Sequence, residues 1–344
     1  MSETVRAAVL AVDGGDSKTD VVLLDRRGGI LGARRRKSSG HAGLGRLEAL
    51  ETIDGAIRSV CNEIGADPDR RPVADVGVYC LAGADLPLDD RRIGRDVSGR
   101  GWTRKNLVRN DTFAVLRAGT DRGWGVGIVC GAGMNCAGVG PDGRVVRFPA
   151  LGEISGDLAA GGGWIGTQAI AHAMRAQDGR GPRTVLEELV PAHFKRTRPS
   201  AVVEAFYVGR LDHRRVAELP PLVFSAARQG DAVAQQIIDR VADEIVAFAL
   251  ASIRRLRLTA RDVEVILGGG IFRTDDQGFL KRIERGVREV APRAVLRRLE
   301  SPPVVGAGLI GLDELGVARA RAAGLRAVLT DARLTSPNSG RSAP

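Results

Sequence analysis

The sequence is poor in several features that define common classes of protein. Aromatic residues make up 4% of its 344 residues, and its four cysteines, Cys61, Cys80, Cys130 and Cys136, form no Cys-x-x-Cys pair. No apolar run reaches the ~18 residues of a transmembrane helix, and the N-terminus shows no signal-peptide pattern. We therefore expect no membrane partner and no disulfide framework, and we predict a cytoplasmic protein whose cysteines are reduced, structural thiols.

Acidic residues are also in the minority. The 51 lysines and arginines outnumber the 41 aspartates and glutamates, which gives a net charge of +10. A nucleic-acid-binding protein would concentrate such charge on one face, with aromatic residues among the basic ones, but only Arg34-Arg35-Arg36-Lys37 forms a basic run. The composition therefore predicts a solvated basic surface without a nucleic-acid partner, and it favours anionic ligands such as ATP.

Two familiar phosphate-binding motifs are missing as well. No Gly-x-Gly-x-x-Gly stands between a predicted strand and a helix, and the P-loop motif Gly-x-x-x-x-Gly-Lys-Ser/Thr does not occur. A protein that binds a nucleotide with this sequence must therefore hold the phosphates by another arrangement of glycines.

Glycine corners do stand at the ends of three predicted strands, at Gly14-Gly15, at 131–133 and at 268–270. At the first of them an apolar strand ends at Asp13, and the chain continues through Ser17, Lys18 and Thr19. Glycine lets the backbone approach a ligand closely, and successive N–H groups can form an anion-binding nest. The hydroxyl and ammonium groups add donors for phosphate oxygens, and Asp13 could hold a hydrated Mg²⁺ ion. For a single such corner the alternative is an ordinary hairpin turn.

The order strand, glycine corner, strand, turn and strand occurs twice, at residues 7–35 and again at 125–148. This repeat predicts an α/β fold with two duplicated domains, which we place at residues 1–117 and 118–329. Small residues in a final helix at about 304–325 suit close packing, and this helix could pack back on the first domain. The Ser-, Pro- and Gly-rich stretch 330–344 predicts a disordered tail.

In their order and spacing, several stretches resemble the N-acetylglucosamine kinase and BadF/BadG/BcrA/BcrD-type ATPase family over about residues 7–320. The matching stretches are Asp13-Gly-Gly-Asp-Ser-Lys-Thr-Asp20, Leu81-Ala-Gly-Ala-Asp85, Asn110-Asp111, Cys130-Gly-Ala-Gly-Met-Asn-Cys136, Gly156-Asp157 with Trp164-Ile-Gly166, Gly268-Gly-Gly270 and 303–311. This family is part of the superfamily of actin, heat-shock chaperones and sugar kinases. The resemblance implies two actin-like (ribonuclease H-like) domains with a nucleotide cleft between them. It also implies transfer of the γ-phosphate of Mg-ATP to a hydroxyl of an amino sugar such as N-acetylglucosamine or glucosamine.

The resemblance further implies roles for individual residues. Asp111 matches the catalytic base, and an exposed aspartate with a pKa around 3.9 would be ionised at neutral pH; the alternative for Asp111 is a helix N-cap. Asp13 is the expected Mg²⁺ ligand. The residues expected to contact ATP are Gly14, Gly15, Ser17, Lys18 and Thr19 at the first corner, Gly131, Ala132 and Gly133 at the second, and Gly268, Gly269 and Gly270 near adenosine. His41, Asn135 and Asp157 match acceptor-sugar positions, with a turn asparagine and a loop carboxylate as the alternatives for the last two.

Three departures from the family pattern lie on the acceptor side. Leu158 stands where many family kinases have Glu, Gly40 stands where Asn is usual, and the charged insert 175–215 has no evident match. The alternative function is therefore a BadF-type ATPase or a nucleotide-dependent regulatory module without efficient sugar phosphorylation. An iron–sulfur activator ATPase is disfavoured because the cysteines form no suitable pair. Homodimers are common in such families, but no feature of this sequence indicates one.

Overall fold

The computed structural model describes residues 7–37, 46–317 and 322–335. The described chain contains two five-stranded sheets with helices packed on them. In spatial order the first sheet consists of β3 (Ile30–Lys37), β2 (Lys18–Leu24), β1 (Ala7–Gly14), β4 (Ala74–Leu81) and β5 (Thr103–Asn110). The second consists of β8 (Val145–Arg147), β7 (Met134–Val139), β6 (Gly125–Cys130), β9 (Glu264–Gly268) and β10 (Val295–Arg298).

The two sheets have the same topology. In each, the first three strands form an antiparallel meander, and the last two strands run parallel to the first strand of that meander. The predicted α/β fold with a duplicated unit is therefore confirmed.

The helices connect and cover these sheets. The α-helices are α1 (Arg46–Glu63), α2 (Pro87–Gly99), α3 (Asp111–Gly119), α4 (Gly162–Gln177), α5 (Leu186–His193), α6 (Pro199–Tyr207), α7 (Pro220–Arg228), α8 (Ala232–Arg255), α9 (Gln277–Val290), α10 (Val304–Glu314), α11 (Ala322–Val328) and α12 (Asp331–Thr335). Short 3₁₀ helices lie at Gly152–Ser155, His213–Glu218 and Gly270–Arg273. No helix within the described ranges is long and apolar enough to cross a membrane.

The central strand β1 is buried along its whole length because helices cover both of its faces. Leu10 and Val12 pack in one apolar cluster with Ile57 of α1, whereas Val9 and Ala11 pack in another with residues of α10. This alternation is the period of a strand that is apolar on both sides. Because β1 is the central strand, its carboxyl end, with Asp13 and the first glycine corner, lies in the middle of the sheet.

Helix α10 follows the second sheet in the chain but packs against elements of the first. A Cβ atom on Gly306 would overlap the Ala114 carbonyl of α3, and one on Gly311 would overlap the side chain of Val9. The small residues of this stretch therefore serve the close packing for which their composition suits them. The predicted single helix at about 304–325 is wrong, however, because α10 ends at Glu314 and Gly316 follows in a left-handed conformation with φ of 69°.

The predicted disordered tail also needs correction at its beginning. Residues 331–335 form α12. The side chain of Leu334 is fully buried in the apolar cluster that also contains Val9 and Ala11, which we call the first-sheet cluster. The Asp331 carboxylate lies 2.7 Å from the Arg35 guanidinium of β3. The composition of the tail predicted disorder because composition alone does not reveal that Leu334 is buried or that Asp331 pairs with Arg35. Residues 336–344 lie outside the described residues.

Candidate active site

The candidate site lies where the parallel strands of both sheets end. In the first sheet, β1, β4 and β5 run parallel and lead to Asp13, to the 82–85 loop and to Asp111. In the second sheet, β6 and β9 lead to the glycine corners at 131–133 and 268–270. In open α/β sheets, ligands bind in the crevice outside the carboxyl ends of the strands.

The first glycine corner is a tight turn tied to the neighbouring strand. The Gly15 N–H donates to the Lys18 carbonyl at 2.9 Å, and the Gly14 carbonyl accepts from the Ala82 N–H at 2.8 Å. Ser17 at the turn is exposed. Thr19 differs, because it is fully buried in β2 and its hydroxyl, shielded from solvent, has no hydrogen-bond partner among the described residues. The Thr19 side chain is therefore a poor candidate for the phosphate contact expected of it.

The second corner is held by the start of helix α4. The Gly131 N–H donates to the Gly133 carbonyl at 2.9 Å, and the Gly162 N–H donates to the Gly131 carbonyl at 2.8 Å. Gly161 has φ of 82°, and a Cβ there would overlap the Gly133 carbonyl. A Cβ on Gly131 or Gly133 would meet no described atom within 4 Å. The corner thus presents an open face, while the glycines that begin α4 support its other side.

The supporting role of Gly161, Gly162 and Gly163 was missed in the sequence. The signal was present as an unusual density of glycine between residues 149 and 166. What the sequence did not show is that this run backs onto the second corner.

The third corner abuts the end of β6. Gly269 has φ of 103°, and a Cβ there would overlap the Cys130 carbonyl, so only glycine fits. Gly268 is buried at the end of β9, and a Cβ on Gly270 would meet no described atom within 4 Å. The second and third corners are therefore adjacent, with Cys130 between them.

The Asp13 carboxyl is buried, with 6% of its surface exposed, in a group of acidic residues. Burial and the nearby carboxylates of Asp20 and Asp111 raise its pKa well above the usual range, against the opposing charges of Lys18 and Arg35. Asp20 is itself neutralised by Arg35, whose Nε and Nη2 atoms donate to its two oxygens at 2.6 and 2.7 Å. Asp20 thus has a guanidinium held on both of its oxygens, whereas Lys18 and Arg35 offset the burial and repulsion at Asp13 only in part.

A Mg²⁺ ion fits this position with a single protein carboxylate. Magnesium commonly takes one or two carboxylates and completes its shell with water and substrate phosphates. Within the described ranges no group of three or more His, Cys, Asp or Glu side chains is placed to hold a metal ion by itself. Asp13 would be the one protein carboxylate for a metal that arrives with phosphates, and its role as a Mg²⁺ ligand stays a prediction.

Asp111 begins helix α3 and is half-buried. Burial, with additional repulsion from Asp85 and Asp16, raises its pKa to about 7. The expectation of an ordinary aspartate pKa is thus wrong, because the carboxyl is buried and carboxylates from two other loops converge on it. The N-cap of this helix is Asn110 and not Asp111, because the Asn110 side chain accepts from the Thr112 N–H at 3.0 Å.

Asp85 is a site residue to which the sequence assigned no role. Its Oδ1 atom accepts from the side-chain amide of Asn110 at 2.8 Å and from that of Asn135 at 2.9 Å. Burial, followed by repulsion from Asp89, raises the pKa of Asp85 to about 6. Because Asn135 lies on β7 of the second sheet, this carboxylate joins the two halves of the molecule. The only signal in the sequence was its place just after a buried strand.

The residues predicted to contact the acceptor are brought together only in part. Asn135 reaches Asp85 and so lies near Asp111. Asp157 is buried within its own loop, where Oδ2 accepts from the Ser155 hydroxyl at 2.7 Å and the Gly152 N–H at 2.9 Å. His41 and the altered position Gly40 lie outside the described residues.

Helix α8 supplies a carboxylate next to Leu158, the residue that stands where many family kinases have Glu. The Glu244 Oε1 atom accepts from the Leu158 N–H at 3.2 Å. Burial, with repulsion from Asp157, raises the pKa of Glu244. The acceptor-side loop is therefore not short of negative charge, although the residue that provides it is distant in sequence.

The four cysteines are buried. Burial raises the pKa of the Cys130 and Cys136 thiols to about 12, and it also raises the pKa of Cys61 and Cys80. Thiols in such surroundings are unreactive at neutral pH. Their placement agrees with a structural role and gives no support to an iron–sulfur cluster.

The two sheets of identical topology define a protein of the duplicated α/β class. The sequence model of the BadF/BadG/BcrA/BcrD ATPase family matches residues 10–311, and the chain belongs to this family.

Named relatives cover nearly the same extent. The chain is 26% identical to the N-acetyl-D-glucosamine kinase of Dictyostelium discoideum over 321 residues, 88% of this chain and 97% of the relative. It is also 26% identical to the N-acetylmuramic acid/N-acetylglucosamine kinase of Clostridium acetobutylicum, over 76% of this chain and 85% of that one. A solved structure from Chromobacterium violaceum, assigned as an N-acetylglucosamine kinase, superposes with a TM-score of 0.70 at 22% identity, over 89% of this chain and 99% of that one.

Proposed function

We propose that this protein is an ATP-dependent kinase that transfers the γ-phosphate of Mg-ATP to a hydroxyl of an amino sugar such as N-acetylglucosamine or glucosamine. The observation that carries the proposal is Asp111, a half-buried carboxyl with a pKa of about 7 at the carboxyl ends of the first-sheet strands. A general base works best when its pKa lies near the working pH. A protein that only binds nucleotide has no need of such a group.

The glycine corners supply the nucleotide contacts in this proposal. The Gly14-Gly15 turn with Ser17 and Lys18 would bind the β- and γ-phosphates from one side, and Gly131 to Gly133 would bind them from the other. Gly268 to Gly270 would approach adenosine. Asp13 would hold Mg²⁺, which neutralises phosphate charge when bound. The open faces at Gly131, Gly133 and Gly270 leave room for such a ligand.

The chemical step follows from the position of Asp111. The acceptor hydroxyl oxygen attacks the γ-phosphorus, the bond from that phosphorus to the bridging β-γ oxygen breaks, and the hydroxyl proton passes to an Asp111 carboxylate oxygen. Asn135 would orient the acceptor, because its amide already lies at Asp85 beside the base. Closure of the two halves would exclude water and so limit hydrolysis of ATP.

The test is release of ADP from Mg-ATP in the presence of single sugars: N-acetylglucosamine, glucosamine, N-acetylmannosamine, N-acetylmuramic acid and glucose. The Asp111→Asn variant is assayed beside the wild type. Asp275→Asn is the control, because the Asp275 side chain is exposed and its carboxylate pairs with Arg228 alone within the described chain. We expect sugar-dependent turnover that Asp111→Asn lowers by roughly 10² to 10⁴ and Asp275→Asn leaves unchanged.

Two other outcomes would change the proposal in different ways. Sugar-dependent turnover that survives in Asp111→Asn would refute the role of Asp111 as base but retain the kinase. Binding of ATP without turnover on any sugar would support the regulatory ATPase instead, and the altered acceptor positions Gly40 and Leu158 would then be the first to examine.

A further inference from the structure

The C-terminal segment, α11 and α12, lies beside the first glycine corner although the family match ends earlier, at Gly311. Its attachment is apolar: Leu325, Leu329 and Leu334 are 3%, 1% and 0% exposed and belong to the first-sheet cluster. Arg326 adds hydrogen bonds to the carbonyls of Ala118 at 2.6 Å and Thr120 at 3.0 Å, at the end of α3. The segment is therefore anchored independently of any contact it makes at the site.

One side chain of this segment reaches the cations of the candidate phosphate site. The Asp331 carboxylate lies 2.7 Å from the Arg35 guanidinium and 3.9 Å from the Lys18 ammonium. Its other oxygen lies 3.7 Å from the guanidinium of Arg273, in the 3₁₀ helix that follows the third corner. Asp331 thus lies near cations at the first glycine corner and near Arg273 beside the third glycine corner.

These cations differ in what they can do. Arg35 is committed to the buried Asp20 carboxylate through two hydrogen bonds, so it remains in place and holds Asp331 near the corner. Lys18 carries its charge on a flexible stem with 28% of its side chain exposed. Lys18 is therefore the cation that incoming phosphates would recruit. Its ammonium lies 3.6 Å from the Asp20 carboxylate and 3.9 Å from that of Asp331, so both carboxylates partly neutralise it.

We propose that α12 is an anionic strap that competes with the phosphates of a nucleotide for Lys18 and so lowers the affinity of the protein for ATP. The proposal rests on the proposed function, because it takes Lys18 as a phosphate ligand. The family match ends before this segment, so we expect the strap to tune the site and to take no part in phosphoryl transfer itself.

The direct test compares the dissociation constant of Mg-ATP for the full-length wild type, Asp331→Asn and Asp331→Glu by calorimetry at low salt. A half-exposed ion pair has a modest effect, so we expect Asp331→Asn to bind ATP about two- to fivefold more tightly. Asp331→Glu keeps the charge and should stay close to the wild type. The difference should shrink in high salt, since screening weakens interactions between exposed charges.

Two further variants separate the strap from general effects on the fold. Leu334→Ala loosens the anchor without touching a cation and should tighten ATP binding in the same direction. Glu284→Gln removes an ion pair outside the segment, that with Arg288 on α9, and should leave ATP binding unchanged. Equal dissociation constants for wild type, Asp331→Asn and Leu334→Ala would overturn the strap alone. Absence of ATP binding in every protein, wild type included, would overturn the strap together with the nucleotide site.

Discussion

Replacement of Asp111 by asparagine should make the folded protein more stable while it lowers turnover. Folding raises the pKa of this carboxyl from 3.8 to about 7, so the folded state holds a proton that the unfolded state has lost between these values. Stability therefore falls as the pH rises through this window, and the full cost of the charged carboxylate is reached above about pH 7. Asparagine cannot ionise and avoids that cost.

The size of the effect follows from the shift. About three pKa units at 1.36 kcal/mol each give an upper limit of about 4 kcal/mol at high pH. Between about pH 5 and about pH 8.5, the stability advantage of Asp111→Asn should widen by up to about 3 kcal/mol, because part of it is already present at pH 5. The pKa of Asp13 is also raised by Asp111, so its relief acts in the same direction.

The assay is urea unfolding of the wild type, Asp111→Asn and the exposed control Asp275→Asn at both pH values. The control should follow the wild type at each pH. The same pKa predicts that turnover of the wild type rises with pH to a plateau above about pH 7, because only the ionised carboxylate accepts a proton. A stability difference that does not vary with pH, or a variant less stable than the wild type at pH 8.5, would refute a raised pKa at Asp111.

Two pairs of glycine substitutions test the packing. Gly131→Val should weaken ATP binding at least tenfold yet leave the melting temperature near that of the wild type. Gly161→Val should lower both the ATP affinity and the melting temperature, since its side chain would overlap the second corner. Equal effects of the two substitutions would contradict the open face at Gly131. Gly306→Ala should destabilise the protein by several kcal/mol through overlap with α3, while Gly55→Ala, in open space on α1, should stabilise it by about 0.5–1 kcal/mol. Thermal unfolding decides the second pair, and a neutral Gly306→Ala would refute the close packing of α10.

The sequence predicted those features of the fold that depend on local pattern. Strand periodicity and the glycine corners recur in the same order, so the duplicated α/β fold could be recognised before the structure was known. The final helix was misjudged because Gly316 ends α10 with a left-handed residue, while the apolar pattern continues beyond it.

Features of the candidate site that lie in one short stretch of sequence could be predicted. Features that arise from contacts between residues far apart in sequence could not. The sequence singled out Asp111 as the base, and that role stays a prediction. Its raised pKa could not be predicted, because it comes from burial and from Asp85 and Asp16, which approach from separate loops. The bond from Asn135 to Asp85 likewise joins residues far apart in sequence. His41, outside the described residues, stays a prediction.

The packing of α10 on β1 has a consequence for how the protein is made. The apolar cluster that contains Val9 and Leu309 cannot be completed until the chain has been synthesised beyond residue 309. Every strand of the second sheet, in contrast, lies within the continuous stretch from Gly125 to Arg298, which is complete before α10 is synthesised. The first sheet is therefore translated before the second, but one of its two apolar clusters is completed after the second sheet.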